Sequence, residues 1–387
     1  MRIAFLFNAQ DHQVLHALPM ACELSRLYPG HEVVVLNREA AQRGLAERLA
    51  GFYPGHRLRF EALRPAPLPG RFRHNKLAVL LRNRARLAAC DALVLPERTS
   101  LALRYLGVTR PKLIHSFHGP SGHDRAEDPR LRRFDLLLAP SARRLRRIAA
   151  AGNLRPGHAA VVGSSKLDLV RRMGMQRPRL FPNDRPTVLY NPHHRAATSS
   201  WPAMGHAVLD FFAGRRDRNL VFAPHVRLFD PPAEHLDAFR DYAGLDHIRI
   251  DLGSQNSIDM TYLLGADLYL GDISSQVFEF LLQPRPCLFL NPRQLPWRDD
   301  PDFTSWQLGP VVDTIAAMAE RLDTAPRWQP EFEPAQRRAL AETFEELDTP
   351  GLPPAPERAA HAIAEFLAQG WISPRPEVPL DPGPGTL

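Results

Sequence analysis

The chain has 387 residues, 44% of them hydrophobic, and a formal net charge of +7; Lys76, Lys112 and Lys166 are its only lysines, so arginine carries nearly all the positive charge. That length and apolar content suffice for two α/β domains with separate cores. Cys22, Cys90 and Cys287 are too few and too far apart for a disulfide framework or a cysteine zinc site, which points to a reducing, cytoplasmic compartment.

Apolar runs alternate with helical patterns from the first residues. A strand is expected at 3–7, a helix at 12–27, a strand at 32–36 and a helix at 38–50, a βαβα rhythm. The first run meets Asn8, Gln10 and Asp11 at once, too soon for the apolar core of a signal peptide, and no run has the length that crosses a bilayer. An arginine-rich helix ending near Ala89 follows, then a strand at 92–96, a helix from Ser100, strands at 113–117 and 136–139, a helix from Ser141 and a strand at 159–162. These make a first domain over 1–176. Residues 177–186, with three prolines, an asparagine and an aspartate but little periodicity, are expected to link it to a second domain over 187–355.

The second domain repeats the alternation, with strands at 187–190, 220–223, 248–251, 268–270 and 287–290; Ser199 or Ser200 opens one helix and Pro231-Pro232 another. A helix at 356–370 is expected to cross back to the first domain, ahead of a disordered proline- and glycine-rich tail at 371–387. Arginines cluster at 71–86 and 130–147, which suits an anionic membrane surface or a phosphorylated acceptor. Aromatic residues are not interleaved with them, and no recognition-helix or RNA-binding motif occurs, so nucleic acid is not an expected partner. There is no Walker loop, no Gly-x-Gly-x-x-Gly after the first strand and no His-Glu-x-x-His, and therefore no support for P-loop, dinucleotide-redox or zinc-protease chemistry.

Residues 257–292, SIDMTYLLGADLYLGDISSQVFEFLLQPRPCLFLNP, read as a helix opened by Ser257, a strand, a Gly-Asp-Ile-Ser-Ser turn, a helix and a strand. Ser274 and Ser275 then stand at a helix N-terminus, where unpaired N–H groups and the positive end of the macrodipole accept an anion such as a diphosphate. His118 with Gly119 follows the strand at 113–117, and His225 follows the strand at 220–223. Each would stand at the carboxyl end of a parallel strand, the usual place for a ligand. His193 and His194 are adjacent at the end of the strand at 187–190, but no third ligand at a suitable spacing supports a metal.

The run Ser-Ile-Asp-x-x-Tyr-Leu, Ala-Asp, Gly-Asp-x-Ser-Ser and Phe-Glu-Phe before Pro-x-Pro-Cys-Leu-Phe resembles the CDP-glycerol glycerophosphotransferase family, enzymes of wall teichoic acid assembly. The resemblance implies a GT-B fold: α/β, two doubly wound Rossmann-like domains facing a central cleft. It implies a CDP-linked donor, no cofactor, and a lipid-linked or glycan acceptor met at the inner face of the membrane. Asp272, Ser274 and Ser275 match the family's donor-diphosphate turn, with Ile273 where the family usually has an aromatic residue, and Glu279 matches an acidic position suited to a ribose hydroxyl. His118 matches the histidine regarded as general base, with Gly119 beside it. His225 matches a histidine near the donor phosphates, although the family's arginine two residues before it is Ala223 here and Arg227 lies two residues after. Arg195 matches a phosphate-contacting arginine. Asn8, Asp11 and His12, crowning the first strand, are expected acceptor contacts, with a helix cap by Asp11 as the alternative. Glu97 is a further expected acid or base, with an ion pair to Arg98 as the alternative. The same cleft suits a nucleotide-sugar glycosyltransferase, a UDP-sugar 2-epimerase or a nucleotide-binding partner without turnover.

Overall fold

The computed structural model describes residues 1–69, 72, 74–117, 128–174, 177–344 and 351–373. His118, Gly119 and the 374–387 part of the tail lie outside the described residues. The chain divides into two compact units, one of Met1–Met173 with Glu342–Leu387 and one of Gly174–Ala341.

The first unit is built on strands β1 (Arg2–Phe7), β2 (Glu32–Asn37), β3 (Arg59–Ala62), β4 (Ala92–Leu95), β5 (Lys112–Ser116), β6 (Leu136–Ala139) and β7 (Ala159–Val161). All pair in parallel, in the order β3-β2-β1-β4-β5-β6-β7. β1, β2 and β4 are near-continuous apolar runs because helices cover both faces of such a sheet. Those helices are α1 (His12–Leu27), α2 (Ala40–Ala50), α3 (Lys76–Ala88), α4 (Ala102–Tyr105), α5 (Ala142–Ala150) and α6 (Ser165–Arg172). β3 escapes the sequence pattern because it is an edge strand of sequence RFEA, paired on one side and half exposed, with Glu61 accepting from Arg2 and Arg86 instead of lying in a core.

The second unit carries β8 (Thr187–Asn191), β9 (Asn219–Phe222), β10 (Ile248–Ile250), β11 (Leu268–Gly271), β12 (Cys287–Leu290) and β13 (Val311–Val312), again parallel, in the order β10-β9-β8-β11-β12-β13. Its helices are α7 (Trp201–Ala213), α8 (Arg240–Ala243), α9 (Thr261–Gly265), α10 (Gln276–Phe280), α11 (Ile315–Asp323) and most of α12 (Ala325–Thr343). The helix expected from Ser257 starts at Thr261 instead. Met260 has a left-handed φ of 74°, and the Asp259 carboxylate accepts from Thr261 N at 3.0 Å and from its Oγ1 at 2.6 Å, so the chain turns before the helix begins. Residues 177–186 pack on this unit: Leu180 and Phe181 are buried, and Arg249 lies over the Phe181 ring. A last helix, α13 (Ala355–Gln369), belongs to the first unit and lies against α1, where Tyr28 Oη and His361 Nδ1 are 2.7 Å apart.

Candidate functional site

In a doubly wound parallel sheet, ligands bind beyond the carboxyl ends of the strands where the winding order reverses. In the second unit that point lies between β8 and β11, with β9 next to β8. Three loops therefore leave side by side: Pro192-His193-His194-Arg195 after β8, Ala223-Pro224-His225-Val226-Arg227 after β9, and Asp272-Ile273-Ser274-Ser275 after β11. The strand ends are tied closely. Asn191 Nδ2 donates to Ala223 O at 2.5 Å, its Oδ1 accepts from Tyr269 Oη at 3.1 Å, and a Cβ on Gly271 would come within 2.7 Å of Asn191 O.

Asp272 is fully buried. Its Oδ2 accepts from His193 N at 2.8 Å and from Ser200 N at 2.9 Å, while Oδ1 is buried without a hydrogen-bond partner. Burial, only partly opposed by those donors, pushes its carboxyl up to about 7. Asp272, expected as a direct donor contact, holds the segment after β8, since both backbone N–H donors come from there, and no face of its carboxylate meets solvent. Ser274 is also buried and its Oγ accepts from Gln276 N at 3.2 Å, closing the turn into α10. Ser275 is half-buried immediately before α10 and makes no side-chain cap. Glu279, one turn on, is buried within the unit, which leaves little surface for a ribose hydroxyl.

The histidines converge. His194 and His225 rings stand 4.2 Å apart, His193 and His194 4.4 Å, and His193 and His225 5.4 Å. Burial, then Arg227 and Arg195, push the His194 imidazolium down to about 4, so His194 is neutral near pH 7. His193 Nδ1 accepts from Arg195 N at 3.3 Å, and His225 Nδ1 accepts from Arg227 N at 3.2 Å. A ring nitrogen that accepts carries no proton, so these contacts leave the ring proton on Nε2 of each. His225 N also donates to Pro192 O at 3.0 Å, joining the two loops.

Sequence reasoning found these histidines one at a time and missed their relation. Pro-His-x-Arg occurs twice, at 192–195 and 224–227, each time just past a strand end and with the same backbone-to-imidazole contact. Arg227 therefore bears to His225 the relation that Arg195 bears to His193. The third imidazole that spacing did not show comes from the neighbouring strand: His193, His194 and His225 each offer a nitrogen within 4.8 Å of the others. Both arginines are exposed. Imidazole Nε2–H donors, two guanidiniums and a serine turn make an anion-binding set.

No family model and no curated protein matches the chain. Solved structures do. The wall teichoic acid polymerase TagF, as a histidine variant soaked with CDPG, is 15% identical with a TM-score of 0.59 over 95% of this chain and 87% of that one. A UDP-N-acetylglucosamine 2-epimerase is 13% identical with a TM-score of 0.58 over 97% and 98%. The 2-epimerase from Neisseria meningitidis bound to UDP-GlcNAc is 12% identical with a TM-score of 0.56 over 95% and 100%. The fold is GT-B.

The amino-terminal unit of this GT-B chain has its own reversal point, between β1 and β4. Asn8, Asp11 and His12 follow β1 and Glu97 follows β4, so topology gathers the four expected acceptor residues at one sheet edge. Their side chains are partly committed. Asn8 is buried and donates to Lys76 O at 3.0 Å. Asp11 does not cap α1 through its side chain; its Oδ1 accepts from Gln42 Nε2 at 3.1 Å, and desolvation raises its carboxyl above the usual range. Glu97 accepts from Thr99 N at 2.6 Å and from Ser100 Oγ at 2.5 Å, capping its own turn, while Arg98 pairs with Asp128 instead. His115, near the expected base in sequence, is a core residue: its Nδ1 lies 2.8 Å from Leu95 O and its ring stacks on Phe134.

Proposed function

We propose that the chain is a transferase that moves a glycerophosphate-like group from a CDP-linked donor to a hydroxyl of a lipid or glycan acceptor in cell-envelope biosynthesis. One observation carries this reading: three loops at the reversal point of the second unit bring paired His-x-Arg elements against a Ser-Ser turn, with Asp272 locking the first loop to the turn. Such a set recognises a diphosphate through several oxygens at once. The likeness to TagF with CDPG and the sequence motif at 257–292 favour a cytidine donor.

In this reaction His118 takes the proton of the acceptor hydroxyl, an assignment that rests on sequence resemblance alone. The hydroxyl oxygen attacks the phosphorus distal to the nucleoside, the bond from that phosphorus to the bridging oxygen breaks, and CMP departs. His225, Arg227, His193, Arg195 and the turn at Ser274 and Ser275 neutralise the charge that grows on the leaving phosphate. No helix among the described residues is long and apolar enough to cross a membrane. A peripheral contact with anionic lipid on the cytoplasmic face is supported by α3, where Leu77 and Leu81 are 55% and 51% exposed with Arg82 and Arg84 exposed beside them. The 2-epimerase reading is favoured by TM-scores nearly equal to that of TagF.

Thermal-shift titration with CDP-glycerol, CDP, UDP and UDP-N-acetylglucosamine separates the two, since a ligand that binds only the folded chain raises its stability with concentration. CDP compounds are expected to stabilise selectively, with the effect lost in the Ser274→Ala/Ser275→Ala variant. Selective stabilisation by UDP compounds would overturn the cytidine donor in favour of the epimerase.

A further inference from the structure

We infer that His193, His194 and His225 form a three-imidazole site for a divalent transition-metal ion of the zinc class, with a coordination position left open to a phosphate oxygen. The binding of the ion depends on geometry alone; only its service to a diphosphate rests on the donor reading above.

The three residues come from two loops held together below the rings. Asn191 Nδ2 to Ala223 O and His225 N to Pro192 O join the ends of β8 and β9, and Asp272 fixes His193 N from the third strand. The cluster is therefore anchored at three backbone points. The candidate nitrogens lie within 4.8 Å of one another, whereas a tetrahedral site with metal–nitrogen bonds of about 2.0 Å needs about 3.3 Å between ligands. Rotation about χ1 and χ2 of half-buried rings supplies that closure without moving the strands. A second observation points to a ligand: His194 Nδ1 is buried without a hydrogen-bond partner, which is costly for an imidazole nitrogen unless something else satisfies it.

Two features set the character of the site. Coordination through Nε2 takes over the atom that otherwise donates to an anion and places the proton of His193 and His225 on Nδ1, so the contacts from Arg195 N and Arg227 N, at 3.3 and 3.2 Å, are given up and the ion, in place of the Nε2–H groups, meets the phosphate. Both are long hydrogen bonds, small beside a metal–nitrogen bond. Arg195 and Arg227, exposed and screened by solvent, oppose a bare cation and favour an anionic further ligand. Imidazole donors of this kind suit zinc, cobalt or nickel better than magnesium, which prefers oxygen.

The test titrates the full chain, stripped with EDTA and returned to chelator-free buffer, with Co2+ and then with Zn2+. The expected result is a saturable one-to-one visible absorption band of nitrogen-coordinated Co2+, displaced by Zn2+ and weakened more than about tenfold in His194→Ala. His193→Ala and His225→Ala are expected to behave likewise, and circular dichroism checks that each variant folds. Should His225→Ala unfold, His194→Ala decides alone, since that residue has no part in the proposed donor contacts. Absence of a saturable band, or a band unchanged in all three variants, overturns the site. Parallel CDP titrations, one in EDTA and one on the Co2+-loaded chain, keep the two readings apart. CDP binding without any Co2+ band sinks the metal site and leaves the donor reading standing, whereas a Co2+ band with no CDP binding in either titration does the reverse.

Discussion

A buried carboxylate that accepts two backbone N–H groups on one oxygen and none on the other is an unusual use of an acid, and Asp272 shows what it gains. Its carboxylate is turned to the protein's own backbone, and without it the segment holding His193 and Ser200 has two buried donors and no acceptor. Asp272→Leu is expected to cost about 2–4 kcal/mol in chemical denaturation, from two unsatisfied N–H groups, and to abolish stabilisation by CDP. Asp272→Asn keeps one carbonyl oxygen for both donors and serves as the non-titrating reference. The folded carboxyl is raised to about 7, so the native chain keeps a proton that the unfolded chain releases near 3.8. Stability from this group is therefore greatest below about pH 4, falls by about 1.4 kcal/mol for each pH step of one between there and 7, and is flat above. The difference in unfolding free energy between Asp272→Asn and the natural chain is expected to grow across that window. A flat difference would show that the carboxyl ionises in its usual range.

Elements carry the next level of the argument, because the site exists only where strand ends meet. β11 ends in Gly271 against Asn191 O of β8, and no side chain fits the gap: an added Cβ would stand 2.7 Å from that carbonyl and 3.1 Å from the Tyr269 hydroxyl. Gly271→Ala must push β11 from β8 at the place where Asp272 reaches across. The expected outcome is a folded chain with lower thermal stability and at least about tenfold weaker CDP binding; unchanged CDP affinity would show that the spacing of these two strands does not set the donor site. The strand that delivers Gly271 was plain in the sequence, as were its neighbours, since buried parallel strands are short apolar runs between turns. β3 and the two-residue β13 were not, because an edge strand needs fewer apolar residues and a two-residue strand shows no period. The burial of Asp272 is not legible in the sequence, since burial is a tertiary property that an Asp-x-Ser-Ser string does not display. The pairing of His193 with His225 stayed hidden for a different reason. Adjacency of β8 and β9 follows from sheet order, and only that order turns two distant Pro-His-x-Arg strings into one cluster.

At the scale of the whole chain, the first unit is discontinuous: its sheet is complete by Val161, yet α1 still needs a partner that comes from the far end of the sequence. α1 is buried along nearly its full length, which a helix with only a sheet beside it cannot be. α13 supplies the cover, burying Ala359, Ala360, Ala362, Ile363 and Phe366, with small residues letting the two helices approach and Phe366 filling the space beside His158 at a ring distance of 5.6 Å. The fold of the amino-terminal unit thus waits on residues after 354, and its stability is expected to respond to changes there. Phe366→Ala removes a side chain only 2% exposed and leaves a cavity beside His158, at a cost of about 3–5 kcal/mol. Amide hydrogen exchange reads where that cost falls. Exchange is expected to speed up through α1 and α13 while the amides of β8, β9 and β11 keep their protection, because the loss belongs to one unit's core. Equal acceleration in both units would show instead that they unfold as a single cooperative body, and the loops after β8, β9 and β11 would then owe their rigidity to a helix that lies outside their own sheet.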